Sequence, residues 1–423
     1  MGFKTGFQTK RPQVELSAYE SVRWESFDCS VQFPTCLVNF FLQSVLTRSI
    51  QVKTWFHLGF HLKVYLFRGV SALPFRIIRI TRDPFGKWSI TVANECNSYF
   101  SSVGSRTAEV VAKLAVDNHI ICSNSFIPDL VSSSDDCFKF TPVGTEDVRR
   151  VILSLPLNRA PGPDKARVFK DALQVILGPI TEIINCSLGT STFPSDWKIA
   201  EVIPLPKEGD HEEPPNNRPF SLLNVASKVC EKIVLGQFIT YLISRNRLSS
   251  HQSGNKSLHS TETLNIYTTD LILEAMDKKE ISTLVLLGFS KAFDSICHQR
   301  LLQKLSVVGA SPAVVQWFRS YLSDRTQSVR IDSVLSDPLP VTHGVFQGAI
   351  LSPLLFCIYL NDLPGAPQFC QVESYADDSK VLLSFPVADV IDAKFKLEEG
   401  LRNVATWCCT NDLLIDPEKT KFM

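Results

Sequence analysis

One stretch constrains this chain more than any other: Gln371-Val372-Glu373-Ser374-Tyr375-Ala376-Asp377-Asp378-Ser379-Lys380-Val381-Leu382-Leu383. Two strand-like segments meet there at a pair of acids. Adjacent carboxylates at a hairpin tip have an ordinary explanation, since Asp is a good turn former. Function is the other explanation, and the tip alone does not choose between them. The choice rests on what surrounds it.

The surrounding periodicities predict an α+β chain. Val92, Cys96, Phe100 and Val103 recur at helical spacing within 91–120, with a second run over 107–116. Helices are expected from Thr145-Glu146-Asp147 to about Leu155, over 169–188 with a break near Gly178-Pro179, and over 222–242. Further helices are expected over 260–277, 311–322, 348–360 and 390–407. Strands are expected over 200–205, 281–287, 328–331, 339–345 and, around the acids, 372–385. Ala160-Pro161-Gly162-Pro163-Asp164 is a rigid turn, and 123–140 a Ser-rich linker. The order strand, helix, hairpin, helix fits an antiparallel sheet with packed helices better than a doubly wound sheet.

At 423 residues the chain allows two to three domains, and 44% hydrophobic with 20% charged residues excludes global disorder. A net charge of zero gives no whole-chain sign of nucleic-acid binding, so only a locally basic channel would serve it. The twelve cysteines show no C-x-x-C spacing. Reduced, mostly buried thiols of a protein of the nucleus or cytoplasm are expected. No membrane span is expected, because the apolar run 36–46 is too short. No apolar run follows Lys4, Lys10 and Arg11, so no secretory signal is expected either. Residues 1–90 stay unassigned. His57 and His61 share i, i+4 spacing, but Leu58 stands where a zinc-protease helix needs Glu. The basic run Phe75-Arg76-Ile77-Ile78-Arg79-Ile80-Thr81-Arg82 suits a half-exposed strand better than a nucleic-acid contact.

Six further blocks accompany the hairpin. They are Ala160-Pro161-Gly162-Pro163-Asp164; Arg218-Pro219-Phe220-Ser221-Leu222-Leu223; His251-Gln252-Ser253-Gly254; Ser290-Lys291-Ala292-Phe293-Asp294; Gly344-Val345-Phe346-Gln347-Gly348 with Leu351-Ser352-Pro353-Leu354-Leu355-Phe356; and Asn411-Asp412-Leu413-Leu414-Ile415-Asp416-Pro417-Glu418-Lys419-Thr420-Lys421. With Tyr375-Ala376-Asp377-Asp378 they resemble, in order, the reverse transcriptases of non-LTR (LINE-type) retrotransposons. RNA-dependent RNA polymerases share an Asp-Asp hairpin, but the Ser290 and Gly344 blocks favour the reverse-transcriptase branch. No feature of an apurinic-type endonuclease is visible upstream.

The resemblance implies a right-hand polymerase architecture. Residues 1–90 are unassigned, 91–140 form a helical segment and linker, 141–280 the fingers and 281–423 the palm, with the thumb absent. It implies an RNA template, a DNA primer and deoxynucleoside triphosphates as partners, and two Mg²⁺ ions for in-line nucleotidyl transfer. Asp377 and its neighbour Asp378 are the implied catalytic acids and metal ligands. Tyr375 is implied beside the primer-template, and Lys419 in a loop near the site. Arg218 matches the arginine that grips the triphosphate, where a fork of donors suits phosphate oxygens. Lys207 is a second cation, with a solvated-surface role equally open. Gln347, with Gly348, matches the contact to the incoming sugar. Phe293 matches the aromatic floor beneath it, although a core aromatic is that residue type's ordinary role.

The chain also departs from the pattern. The first palm strand reads Leu287-Gly288-Phe289-Ser290-Lys291-Ala292-Phe293-Asp294, with Gly288 where the other metal-binding Asp belongs. Phe346 stands where Pro is usual, Phe220 where a smaller aliphatic is, and Asn217 where an aromatic precedes Arg-Pro. A working polymerase, a non-catalytic nucleic-acid-binding remnant and a ligand-free interaction protein are the three functional expectations. Gly288 and the absent thumb favour the impaired forms.

Overall fold

The computed structural model describes residues 89–122, 137–156, 164–207, 212–254 and 259–423. The readings made of 1–88, of Ala160-Pro161-Gly162-Pro163 and of most of the Ser-rich linker lie outside the described residues. In chain order the helices are α1 (Ile90–Asp117), α2 (Thr145–Ser154), α3 (Ala166–Asp171), α4 (Leu173–Thr190), α5 (Val225–Ser244), α6 (Thr261–Asp277), α7 (His298–Val307), α8 (Pro312–Leu322), α9 (Ser352–Tyr359) and α10 (Val390–Thr410). The strands are β1 (Ile199–Pro206), β2 (Asn217–Leu223), β3 (Glu280–Leu287), β4 (Phe289–Ser290), β5 (Arg325–Ile331), β6 (Val334–Leu335), β7 (Leu339–Val341), β8 (Gln371–Tyr375), β9 (Asp378–Pro386), β10 (Leu414–Ile415) and β11 (Lys421–Phe422).

Two sheets carry the fold, which is a mixed α+β architecture. The first runs β11-β3-β9-β8 and is antiparallel at every junction. Along β3, Thr283, Val285 and Leu287 are buried and the residues between them are not, the period of a strand with one face on the core. The second runs β2-β1-β5-β6, with β7 on β5. There β1 and β2 form an antiparallel hairpin, whereas β1 pairs with β5 in parallel, Ile199 opposite Thr326. The antiparallel expectation therefore describes the first sheet, and the second is mixed.

Helix α9 is apolar all round and lies inside the main core, with every residue from Leu354 to Tyr359 buried. Its N-terminus rests on a buried carboxylate. Glu231 of α5 is fully buried, and its Oε2 accepts from the Ile350 and Leu351 amides at 2.7 and 3.2 Å. The Ser227 hydroxyl donates to its Oε1 at 3.0 Å. A negative charge suits this end of a helix, where amides lack intrahelical partners.

Several boundaries differ from the sequence expectation, each for a local reason. Leu222 and Leu223 pair with Glu201 and Ala200 in a sheet, so α5 starts only at Val225. The Val225 amide donates to both oxygens of Asp164, at 2.9 and 3.0 Å, which gives the acid of the rigid turn a capping role. Helix α4 runs unbroken through Pro179, held by buried Leu173, Leu177, Ile184 and Leu188. Gly348 has φ +115°, outside helical space, so the helix expected from 348 begins at Ser352. Residues 342–345 lie outside β7, and α7 was not anticipated. The start of α6 matches expectation: the Thr263 amide donates to Ser260 Oγ at 3.1 Å.

Helix α1 docks on the second sheet. Ala93, Cys96, Phe100 and Val103 pack with Val202, Val329 and Ile331. The fully buried Asn97 donates from Nδ2 to the carbonyls of Gln327 and Asp337, at 3.0 and 2.8 Å, and its Oδ1 accepts from Gln327 Nε2 at 3.1 Å. No disulfide joins the described cysteines, and no described helix is long and apolar enough to cross a membrane.

Candidate active site

The two acids sit where β8 turns into β9. Tyr375 pairs with Asp378, Ala376 adopts φ +51°, and Asp377 and Asp378 are exposed at the tip. The Asp378 carboxyl is raised above the usual carboxylate range, by partial desolvation first and then by the adjacent Asp377 charge. The tip is braced from the open edge of β8. Ser374 donates its amide to the His251 carbonyl at 2.8 Å, and its own carbonyl accepts from the Ser253 amide at 2.8 Å. Gln252 Oε1 accepts from the Ala376 and Gly254 amides, at 3.2 and 2.8 Å. A Cβ on Gly254 would lie 2.8 Å from the Ala376 nitrogen. The His251-Gln252-Ser253-Gly254 block thus acts as a splint for the acidic turn.

Gly288 follows β3 directly, one residue beyond Leu287, which pairs with Ser379. Lys419 fills the space a side chain would need there. An ideal Cβ at 288 would lie 2.4 Å from Lys419 Cβ and 3.3 Å from its Cδ. The Gly288 carbonyl accepts from the Asp416 amide at 2.7 Å. The Lys419 ammonium is 3.2 Å from the Phe289 carbonyl and 3.2 Å from Asp416 Oδ2, which also accepts from Ser290 Oγ at 3.0 Å. Among the described residues no three His, Cys, Asp or Glu side chains gather to hold a metal. Two magnesium ions need carboxylate donors from more than the hairpin tip, and Gly288 with its lysine neighbour offers no carboxylate. The donor set does not fit the expected pair of ions.

A cluster of cations lies beside this point. Lys207 and Arg218 stand at the loop end of the β1–β2 hairpin, where Leu205 pairs with Arg218. Lys291, in the turn after β4, donates to the Pro215 carbonyl at 2.8 Å. Burial, and then the Lys207 charge, push the Lys291 ammonium down to about 8, while Asp294 opposes them. Lys207 is lowered too, by burial and then by Arg218. The carboxylate among them is Asp294, raised by burial, with Oδ1 accepting from Gln347 Nε2 at 2.9 Å. Lys419 is within electrostatic reach of Lys207, Lys291 and Asp378 alike. From the other side, the Tyr99 ring of α1 lies under Lys291, 5.7 Å from nitrogen to centroid.

The remaining expected residues line the same region. Phe293 is half-buried and stacks on Phe356, with centroids 4.5 Å apart and planes 14° apart. The Gln347 carbonyl accepts from the Ser221 amide at 2.7 Å, and a Cβ on Gly348 would lie 2.5 Å from the Ser221 carbonyl. Two departures also find a place. Phe346 faces the Arg325 guanidinium at 5.1 Å, completing an aromatic surround with Tyr321 at 4.2 Å and Phe193 at 5.3 Å. Asn217 is buried and donates to the Glu213 carbonyl at 2.9 Å.

The structure thus brings Lys207, Arg218, Phe293, Gln347 and Gly348 to one region, and Tyr375, Asp377, Asp378, Gly288 and Lys419 to the hairpin beside it. Lys291, Asp294 and Tyr99 are the residues sequence reasoning did not single out for the site. Lys291 lay within a quoted block, three positions after Gly288. Tyr99 carried no signal beyond its place near an apolar helical face.

A sequence profile of the reverse transcriptase (RNA-dependent DNA polymerase) family matches residues 205–423. The chain belongs to that family, as a reverse transcriptase domain of the non-LTR retrotransposon type. It is similar to the Drosophila melanogaster "Probable RNA-directed DNA polymerase from transposon BS", 33% identical over 294 residues, 66% of this chain and 32% of that protein. The Drosophila melanogaster "RNA-directed DNA polymerase from mobile element jockey" is 30% identical over 66% of this chain and 31% of that protein. The "Probable RNA-directed DNA polymerase from transposon X-element" of the same species is 33% identical over 53% of this chain and 25% of that protein. The chain therefore matches about a third or less of these relatives' length. Reverse transcriptases in general use divalent metal ions and bind an RNA template, a DNA primer and deoxynucleoside triphosphates.

Proposed function

We propose that this chain is the fingers and palm of a non-LTR retrotransposon reverse transcriptase whose nucleotidyl transfer is impaired. In this reading the first sheet, with the Asp377-Asp378 tip, is the palm, and the second sheet, with Lys207 and Arg218, belongs to the fingers. The observation that carries it is Gly288: the residue facing the acidic tip has no carboxylate, and Lys419 fills the space for one. Two-metal transfer places ligands on both strands, and loss of a few kcal/mol of transition-state stabilisation already costs orders of magnitude in rate. The cation cluster and the half-buried Phe293 support retained recognition of nucleotide and primer-template. The test is Mg²⁺-dependent primer extension on an RNA template by the purified chain, beside binding of the same RNA–DNA duplex across a salt series. No extension with steeply salt-dependent binding is expected. Measurable extension would refute the impairment, and absence of duplex binding would refute the retained recognition.

A further inference from the structure

The segment that braces the acidic turn also lines a cavity of about 300 Å³ beside the start of α6, a volume at the lower end of small-ligand pockets. Ser250, His251, Ser253, His259, Tyr267 and Glu373 form much of its wall, and it shares no residue with the cation cluster. The acid is Glu373 of β8, four residues before Asp377, with a side chain only 7% exposed. Its Oε1 is taken: His251 Nδ1 lies 2.6 Å away, and Gln371 Nε2 donates to it at 2.9 Å. Oε2 makes no hydrogen bond among the described residues, and the described lining holds no Lys or Arg. A buried carboxylate oxygen without a donor is costly, so a ligand that brings N–H groups gains there. With its Nδ1 proton on the carboxylate, the neutral His251 ring keeps Nε2 as a second acceptor. Two flat groups stand beside the acid. The His251 side chain is 42% exposed and Tyr267 46% exposed. Gln371 Nε2 also donates to the Tyr267 hydroxyl at 3.3 Å, which ties that ring to Glu373.

We propose that this cavity binds an unpaired guanine base, with Glu373 accepting from its N–H edge and Tyr267 and His251 offering surfaces on which it stacks. Guanine carries two N–H donors side by side, N1–H and the N2 amino group, which suit a free carboxylate oxygen and a neighbouring imidazole acceptor. Uracil sets its one N–H between two carbonyls, and the amino groups of adenine and cytosine sit beside a ring nitrogen acceptor, so a carboxylate repels part of each edge. Single-stranded RNA presents unstacked bases of this kind to aromatic and imidazole rings. A free guanine nucleoside presents the same edge. An arginine side chain also donates in parallel, but the family to which the chain belongs works on RNA, which favours the base.

The test is calorimetric titration of the purified chain with guanosine, inosine, uridine and N-acetylarginine amide. A short single-stranded RNA carrying a guanine among uridines is titrated beside an all-uridine RNA of the same length. Guanosine is expected to bind about tenfold more tightly than inosine, which lacks the N2 amino group, and than uridine. Glu373→Gln keeps the shape of the acid and is expected to erase the preference for guanosine over inosine. Tyr267→Ala removes an exposed ring and is expected to weaken guanosine severalfold at an unchanged melting temperature, so the inference stays testable if Glu373→Gln fails to fold. Preference for the guanine-bearing RNA identifies RNA as the source of the base, and preference confined to the nucleosides identifies the free nucleoside. Equal binding of guanosine and inosine, a preference that survives Glu373→Gln, or binding of the arginine amide in place of guanosine would overturn the inference. Absence of binding by every probe would overturn it too. Primer extension and duplex binding are read separately, so each of these outcomes leaves the impaired reverse-transcriptase reading standing.

Discussion

The ammonium of Lys291 lies 5.7 Å from the centre of the Tyr99 ring, so a helix outside the family-matched segment touches the cation cluster. An aromatic face stabilises an ammonium by about 0.5–2 kcal/mol, depending on how dry the pair is. Tyr99→Leu keeps apolar bulk and removes the ring. It is expected to weaken triphosphate binding severalfold, whereas Tyr99→Phe leaves it near the parent value. Titration calorimetry of the three chains checks this; equal loss in both variants would mean that the hydroxyl, not the ring, matters.

The lowered Lys291 ammonium gives binding a pH signature. With an ammonium that titrates at about 8, Lys291 loses its charge as pH rises from 7 to 9, and triphosphate affinity is expected to fall across that window. Lys207, Asp294, Lys419 and Tyr99 surround it, and the Lys291→Arg variant isolates its share because Arg stays charged. Stability runs the other way. The folded value lies below the unfolded one near 10.5, so the unfolded chain binds more protons between about 8 and 10.5 and this group's contribution to stability rises with pH there. A flat binding profile in the parent chain would discard the assignment.

Replacing Gly288 by Asp alone is expected not to restore primer extension. The new Cβ meets Lys419 Cβ at 2.4 Å, and overpacking of this kind costs about 1–3 kcal/mol. Lys419→Ala would keep the offending Cβ, so Lys419→Gly is the partner change that makes room. Melting curves and Mg²⁺ titrations of the single and double variants separate crowding from the missing carboxylate. Extension by Gly288→Asp alone, at unchanged melting temperature, would show that the space is not limiting.

Glu231 makes a stability prediction independent of the site. Glu231→Ala leaves the Ile350 and Leu351 amides and the Ser227 hydroxyl without their acceptor in a fully buried setting. An orphaned buried donor costs about 1–3 kcal/mol. Urea unfolding should show a large loss for Glu231→Ala and a smaller one for Glu231→Gln, which keeps an oxygen for the amides.

Gly254→Ala should loosen the acidic turn without touching either acid. Its Cβ would lie 2.8 Å from the Ala376 nitrogen and 3.0 Å from Gln252 Oε1. Faster amide exchange confined to 374–378 is the expected result, and uniform exchange across the first sheet would contradict the splint.

The hairpin is legible in the sequence because strand alternation and a turn-forming pair of acids coincide, and both are local. Gly288 is legible as a departure for the same reason, since one missing carboxylate shows in the letters. That Lys419 fills its place is not legible, because the two residues meet through the pairing of β10 with β4 and of β11 with β3. Strand β2 hides behind Leu222-Leu223-Asn224, where apolar residues run into a helix start and period alone cannot place the boundary. The short pairs β4–β10 and β3–β11 are two residues long and leave no periodic trace. Lys291 carries no local mark of its burial, which comes from Pro215 and Tyr99, both distant in sequence.

The parallel pairing of β1 with β5 has a consequence for how the chain is made. Strand β1 emerges from the ribosome long before its partner, and until β5 follows, one of its edges stays open to other chains. Non-local pairing of this kind slows folding, since loop closure comes before the contacts that reward it. The four cations at 207, 218, 291 and 419 are threaded through the same delay. A nascent chain therefore holds no complete cation cluster until Lys419 has emerged, and this region is assembled late in synthesis.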